Sequence, residues 1–251
     1  MHPQFPIRLV QLRQLAPTVF HYVFRRADGQ SLEFIPGQFI QVHFDLADGT
    51  STKRSYSLAT RRDRAKYAHD TVSFAVSFVP GGRATALFES LQAGDELQCS
   101  GPYGRFVLNE RDTNTRYLLI GTGTGITPYR AMLPQLKQLM DERGISVSLL
   151  QGARTQAELL YGDEFAEFAA ENPKFTYFPC LSRETPNCEG TNVHPIYGYV
   201  QQALSTLAPQ AEGDIAYLCG NPDMVDACFA FLKEQGMSTQ FIRREKYVSN
   251  V

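Results

Sequence analysis

Residues 117–128 read Tyr-Leu-Leu-Ile-Gly-Thr-Gly-Thr-Gly-Ile-Thr-Pro. A compact apolar run, Tyr117 to Ile120, leads into Gly121, Thr122, Gly123, Thr124 and Gly125, and Pro128 follows. That order suits a strand, a glycine-rich turn and a helix start, whose free backbone N–H groups together cradle a phosphate. Glycines let the backbone approach an anion closely. Pro128 fits a first helical turn, where its missing N–H costs little. A tight strand–helix turn without a ligand is the plain alternative. The run is neither G-x-G-x-x-G nor a Walker-A loop with its Lys, so P-loop phosphoryl transfer is disfavoured.

Two segments of the first half carry complementary chemistry. In Arg54-Ser55-Tyr56-Ser57, a guanidinium fork can neutralise a diphosphate and an aromatic face can stack on a flat ring. Alternation along a strand places Arg54 and Tyr56 on one face and Ser55 and Ser57 on the other. Ser57 then needs a bend to join them. An edge strand with a solvated Arg and a packed Tyr is the alternative. Gly81, Gly82, Arg83, Ala84 and Thr85 precede a helix expected over 83–91, where Ala84, Leu87, Phe88 and Leu91 recur at helical spacing. Backbone N–H groups there, with the Thr85 hydroxyl, can hold a second phosphate. Arg83 either reinforces this or is simply exposed.

The elements that must position these groups differ between the two halves. Up to about residue 110, short β-rich runs are cut by Ala27-Asp28-Gly29, Pro36-Gly37, Ala47-Asp48-Gly49 and Pro80-Gly81-Gly82, which suggests a small antiparallel barrel. The second half alternates, with strands expected at 117–120, 147–150, 175–179 and 215–219. Helices are expected at 128–143, 158–170, 196–207 and 222–234. That pattern implies a mostly parallel sheet with helices on both faces. The charged stretch Asn109–Arg116 is the best boundary, so a barrel domain over 1–112 and an α/β domain over 113–251 are expected.

The bulk numbers narrow the chemistry. The chain has 251 residues, 43% hydrophobic and 20% charged, with net charge −2. This is the balance of a globular protein, and no global charge argues for nucleic acid. The N-terminus has no apolar run suited to a signal peptide. No stretch approaches the roughly 20 apolar residues of a spanning helix, so a cytoplasmic protein is expected. Cys99, Cys180, Cys188, Cys219 and Cys228 are too scattered for a disulfide framework, zinc knuckle or plant-type iron–sulfur run, and no metal is expected. Electron chemistry would therefore need an organic cofactor, and a flavin can accept hydride and handle single electrons.

Gly121–Pro128 resembles the G-T-G-x-G-I-x-P loop of the plant-type ferredoxin–NADP reductase superfamily, in its bacterial form. Four further segments match in order across nearly the whole chain. Arg54–Ala59 resembles the flavin motif R-x-Y-S-[LI]-[AS], and Gly81–Thr85 the diphosphate turn G-x-x-[ST]. Cys219-Gly220-Asn221-Pro222-Asp223-Met224 resembles C-G-x-x-x-M, and Glu245-Lys246-Tyr247 resembles E-x-[YFW]. The resemblance implies FAD held by Arg54, Tyr56 and the Gly81–Thr85 turn, with Ser57 near flavin N5. It implies NADP(H) on the Gly121 loop, with Cys219 and Gly220 beside the nicotinamide. Glu245 would bond near the serine and Tyr247 would pack on the flavin, moving when nicotinamide arrives, although Val248 is an alternative for that cover.

For the adenosine end, Ser182-Arg183-Glu184 resembles the S-R-E of NADP-using members and Tyr199 their adenosine-packing Tyr. Tyr197 stands where they often carry a basic residue. Arg154 is a second candidate cation, or else pairs with Glu158, four residues along a helix face. The implied activity is hydride exchange between NADPH and flavin, with single electrons passed to a ferredoxin or flavodoxin by a monomer. Arg61, Arg62, Arg64 and Lys66, or Arg243, Arg244 and Lys246, could form a basic docking rim, and either run could instead be a solvated face. One alternative on the same scaffold is a stand-alone oxygenase reductase component or a flavin or quinone reductase. Another is a non-catalytic nucleotide-binding regulatory subunit.

Overall fold

The computed structural model describes residues 3–46, 48–62, 71–109, 111–187 and 189–248. The chain falls into two compact units: Met1–Leu108 with Thr127–Pro134, and Asn109–Ile126 with Gln135–Val248.

The first unit is built on strands β1 (Gln4–Ala16), β2 (Val19–Arg26), β3 (Phe39–Asp45), β4 (Ser51–Ser57), β5 (Thr71–Ser77) and β6 (Glu96–Tyr103), with helix α1 (Arg83–Ser90) before β6. They form one sheet in the order β4-β3-β6-β1-β2-β5, every pair antiparallel. A bridge from Leu58 to Phe74 brings the two outermost strands together, so the sheet curls into a barrel. Alternation fills the interior: Phe5, Ile7 and Leu9 of β1, Tyr22 and Phe24 of β2, and Ile40 and Val42 of β3 are all buried. Each such side chain contributes about 1.5–3 kcal/mol by leaving water. Phe88 of α1 closes the interior, meeting Tyr22 edge-on at 5.1 Å and accepting its hydroxyl on the main-chain oxygen at 2.8 Å.

The second unit carries β7 (Arg116–Thr122), a 3₁₀ turn (Gly123–Ile126), β8 (Ser146–Ala153), β9 (Phe175–Leu181), β10 (Ile196–Tyr197), β11 (Asp214–Gly220) and β12 (Ile242–Lys246). Its helices are α2 (Thr127–Arg143, from Gln135 onward), α3 (Gly162–Glu171), α4 (Val200–Thr206) and α5 (Pro222–Glu234). The sheet is parallel with order β10-β9-β8-β7-β11-β12. Leu118, Ile120, Leu150, Ala216 and Leu218 point to the face covered by α4 and α5. The intervening residues face the other way, where Phe165 and Phe168 of α3 pack on Tyr177 and Phe175 at 5.8 and 4.9 Å. Strand order reverses beside β7, so β7 and β11 flank the topological switch point at which such sheets bind ligands.

Three expectations need correction. The helix expected from Glu158 starts only at Gly162, because Tyr161 is buried with a left-handed φ of 58° and breaks the helical path. Residues 196–207 are a two-residue strand followed by a helix from Val200. Gln4–Ala16 is a full strand that the sequence reading passed over.

Candidate functional site

In the first unit the flavin-motif strand β4 lies at the margin of the sheet. Arg54 and Tyr56 share a face and are half-buried, while Ser55 is exposed. Arg54 Nη1 donates to the Lys53 carbonyl at 2.9 Å and to Thr52 Oγ1 at 3.3 Å. Tyr56 lies stacked on Phe74 at 4.9 Å and edge-on to Phe88 at 5.2 Å, so one aromatic face is set by the core. Burial pushes its phenol well above the ordinary range and keeps it neutral. Ser57 ends the strand and is buried.

The Gly81–Thr85 turn is open. Gly81 has φ +71° and a Cβ there would meet nothing within 4 Å. Gly82 caps α1 with no side-chain hydrogen bond; Thr85 N–H donates to the Gly82 carbonyl at 3.0 Å, while the turn offers no side-chain cap to the N–H groups of Arg83 and Ala84. Arg83 is exposed and Ala84 half-buried. The Thr85 hydroxyl accepts from Val79 N–H and donates to the Val79 carbonyl, both at 3.0 Å. These two bonds clamp the turn. An uncapped helix start and an open left-handed glycine fit a diphosphate, and the half-buried Tyr56 fits a flat ring.

In the second unit the switch point is a tight clasp of two loops. A Cβ on Gly125 would lie 2.3 Å from the Cys219 carbonyl oxygen. One on Gly220, whose φ is +125°, would lie 2.5 Å from the Thr122 carbonyl oxygen. The Thr122 hydroxyl accepts Asn221 N–H at 3.1 Å, and Gly121 pairs with Cys219 across β7 and β11. A Cβ on Gly152 of β8 would meet Thr122 Cγ2 at 2.8 Å. Gly123 is open at φ +54° and Thr124 is half-buried. Pro128 sits in the first turn of α2, which has no side-chain cap. Thr127 and Pro128 belong to the first unit, where Thr127 is 2% exposed and its hydroxyl has no hydrogen-bond partner among the described residues. An orphaned buried hydroxyl at an uncapped helix start fits an anionic or carboxamide-bearing ligand.

Cys219 is fully buried, and its thiol is pushed far up by desolvation and then by Glu245. Tyr247 N–H donates to the Gly220 carbonyl at 2.8 Å, and Tyr247 is near enough to Cys219 to offset part of that rise. Glu245 pairs with Cys219 across β11 and β12. Tyr247 thus covers Cys219 within this unit, while Val248 is exposed. The end of the tail, residues 249–251, lies outside the described residues.

The adenosine-end candidates line one sheet edge. Ser182 N–H donates to the Ala153 carbonyl at 3.1 Å and Arg183 N–H to the Arg154 carbonyl at 2.9 Å. Tyr197 and Tyr199 are 66% and 59% exposed. Arg154 pairs with Glu158 through Nε at 2.9 Å and a second guanidinium nitrogen, across a loop and not along a helix face. Sequence reasoning missed Thr127, Gly152, Asn221 and Glu184. The burial of a lone threonine and the room around a glycine are set by chain segments distant in sequence.

The described residues of the two basic runs have different surroundings, with Arg244 and Lys246 exposed. Arg61 is buried. Arg62 pairs with Glu33 at 3.2 Å and lies over Phe34. Arg243 pairs with Asp112 at 2.7 Å, Lys246 with Asp226 at 2.6 Å, and Arg244 lies over Phe229. Arg64, Lys66 and Cys188 fall outside the described residues.

The sequence pattern of the oxidoreductase FAD-binding domain matches residues 6–108, and that of the oxidoreductase NAD-binding domain matches residues 119–229. A ferredoxin–NADP reductase B of Sorangium cellulosum is 31% identical over 250 residues, covering 97% of each chain. The chain belongs to the ferredoxin–NADP reductase-like family. Other members similar to it are the phenol hydroxylase P5 protein of Acinetobacter pittii, 30% identical over 96% of this chain and 65% of that one, and an Amycolatopsis cytochrome P450 reductase whose crystal structure superposes with a TM-score of 0.80 at 30% identity, covering 98% of this chain and 71% of that one. The chain spans 55–65% of the length of the first oxygenase-associated relatives. The chain thus carries one FAD-binding and one NAD-binding domain of the oxidoreductase type. Among the described residues no helix is long and apolar enough to cross a membrane.

Proposed function

We propose that this protein takes hydride from NAD(P)H and hands single electrons to a small redox carrier, a ferredoxin or flavodoxin. The observation that carries the reading is the clasp at the switch point. There Gly125 and Gly220 allow two loops to touch, and Cys219, Glu245 and Tyr247 converge on the same edge. End-to-end similarity to a ferredoxin–NADP reductase supports the acceptor class.

Bound FAD supplies a centre that accepts two electrons as hydride and releases them one at a time. The chain supplies position and charge. Arg54, Gly81, Gly82, Arg83, Ala84 and Thr85 hold the flavin diphosphate, with Thr85 acting through its clamp on Val79. Ser55 lies on the solvent face of the same strand. Tyr56 presents its ring, stiffened by Phe74 and Phe88. Ser57 offers a hydroxyl where hydride is exchanged. The loop from Gly121 to Gly125, with Thr122, Gly123, Thr124 and Pro128, holds the coenzyme diphosphate. Gly220 leaves room for the nicotinamide, and Ser182, Arg183, Arg154 and Tyr199 receive the adenosine. Cys219 keeps its proton because its burial forbids a thiolate, so it serves as a small wall and not as a nucleophile. Tyr247 covers that wall and gives way to the nicotinamide. Glu245 fixes the edge.

A second reading, the reductase component of an oxygenase, draws on the relatives named as reductase components of a monooxygenase, at 30–33% identity. Among the described basic residues, Arg62, Arg243 and Lys246 already hold carboxylate partners, which lessens the free positive charge for an acidic carrier. The purified protein should be yellow and should oxidise NAD(P)H with ferricyanide. Reduction of ferredoxin or flavodoxin faster than of an oxygenase component supports the first reading, and the reverse order supports the second. A colourless protein inert with both coenzymes after added FAD would leave only a regulatory role. Ser57→Ala should lower the ferricyanide-coupled kcat by about tenfold or more; an unchanged kcat removes Ser57 from the site.

A further inference from the structure

The edge where β8, β9 and β10 end gathers four charges whose pairing has a consequence for coenzyme choice. Glu158 holds Arg154 from three sides: Oε2 accepts Arg154 Nε at 2.9 Å and Arg154 N–H at 3.1 Å, and Oε1 accepts a second guanidinium nitrogen. Arg183 is near enough to join Arg154 in holding the Glu158 carboxyl below its ordinary range, the hydrogen bond from Arg154 being the largest cause. Glu184 takes the Gln156 N–H. The corner therefore balances two cations with two carboxylates.

The loop that carries Glu158 is pinned. Gln151 Nε2 donates to the Leu160 carbonyl at 2.9 Å, Tyr177 OH donates to Gln151 Oε1 at 2.7 Å, and Tyr161 is buried. Glu158 ends a 3₁₀ turn closed by its own N–H on the Thr155 carbonyl at 3.1 Å. The carboxylate is thus held in place before any ligand arrives.

A ribose 2′-phosphate needs free cations, whereas a 2′-hydroxyl is satisfied by a carboxylate. Glu158 occupies the Nε side of the Arg154 fork, so a phosphate is left only the remaining guanidinium N–H groups, beside a carboxylate that repels it. Tyr197, where a third cation would help, brings none. We propose that Glu158 determines coenzyme specificity by neutralising Arg154 and keeping one side of its fork from a 2′-phosphate. This rests on the reading above that this edge receives the adenosine ribose.

The test measures binding of 2′,5′-ADP and of 5′-AMP to the FAD-loaded protein by calorimetry, in wild type, Glu158→Gln, Glu158→Ala and Glu158→Gln with Arg154→Ala. One unit charge at about 4 Å in water is worth about fivefold in affinity, and the phosphate carries nearly two. Either single change should raise the affinity ratio of 2′,5′-ADP over 5′-AMP by about tenfold, and the NADPH-to-NADH ratio of kcat/KM should rise with it. Adding Arg154→Ala should erase the gain. The gain should also shrink as salt is raised from 0.05 to 0.5 M. If both fragments bind wild type and the ratio is unmoved, or the gain survives Arg154→Ala, the proposal falls and the reading of the edge stands. If wild type binds neither fragment, that reading falls and takes the proposal with it.

Discussion

The two glycine turns of the molecule do opposite things. Gly81, in the barrel unit, has a left-handed φ of +71° and open space where a Cβ would go. Gly125, at the sheet's switch point, has ordinary backbone angles but a Cβ would stand 2.3 Å from the Cys219 carbonyl oxygen. The first glycine is required for its conformation, the second for its size. One turn stays open to receive an anion, whereas the other is closed by two loops leaning on each other. The physical demand belongs to each position and not to the motif.

Alanine separates the two demands. Gly125→Ala must force the clasp apart, so a loss of about 1–3 kcal/mol in stability and a collapse of 2′,5′-ADP binding are expected, by thermal unfolding and calorimetry. Gly81→Ala should cost only the strain of a left-handed alanine, about 1 kcal/mol. Gly123 sharpens the test. It sits two residues from Gly125, yet at φ +54° it has nothing within 4 Å of a built Cβ. Gly123→Ala should therefore resemble Gly81→Ala in stability. A loss as large as that of Gly125→Ala would end the distinction between open and crowded glycines.

The smallest expected effect concerns acid. The barrel unit buries His21, whose pKa is pushed down chiefly by desolvation and then by Arg130 and Arg13. Its folded pKa lies below the unfolded value of about 6.5, so the unfolded chain binds the proton first and stability falls with falling pH. Between pH 7 and 6 the loss should be about 0.7 kcal/mol. Thermal unfolding of wild type and His21→Gln across that range checks it, since the substitution should flatten the slope.

The sheet unit was legible because its apolar runs are short, bounded by glycines and alternate with helical periods. Pro222–Glu234 forms its helix over the expected residues. The barrel's first strand was harder. Phe5, Ile7 and Leu9 alternate, but a bulge between Leu9 and Gln11 shifts the register and leaves Val10 and Leu12 exposed. The break hides a strand whose inward half was written plainly. The helix expected from Glu158 begins only at Gly162 because Tyr161 takes a left-handed φ and turns the chain the other way. That same turn takes Glu158 off a helix face and sets it against Arg154. Gly125 could be named from its neighbours, but its reason could not: Cys219 and Gly220, the residues it must avoid, are far along the chain. Thr85 could be named as well, yet its hydroxyl is taken by a backbone six residues earlier.

The sealed thiol of Cys219 bears on how such a protein ages. Peroxide and alkylating agents attack sulfur as the thiolate. Cys219 is fully buried, with its acidity suppressed by desolvation and a neighbouring carboxylate. At neutral pH those reagents find no anion there to strike. The soft atom at this sheet edge is thereby kept out of reach of such reagents.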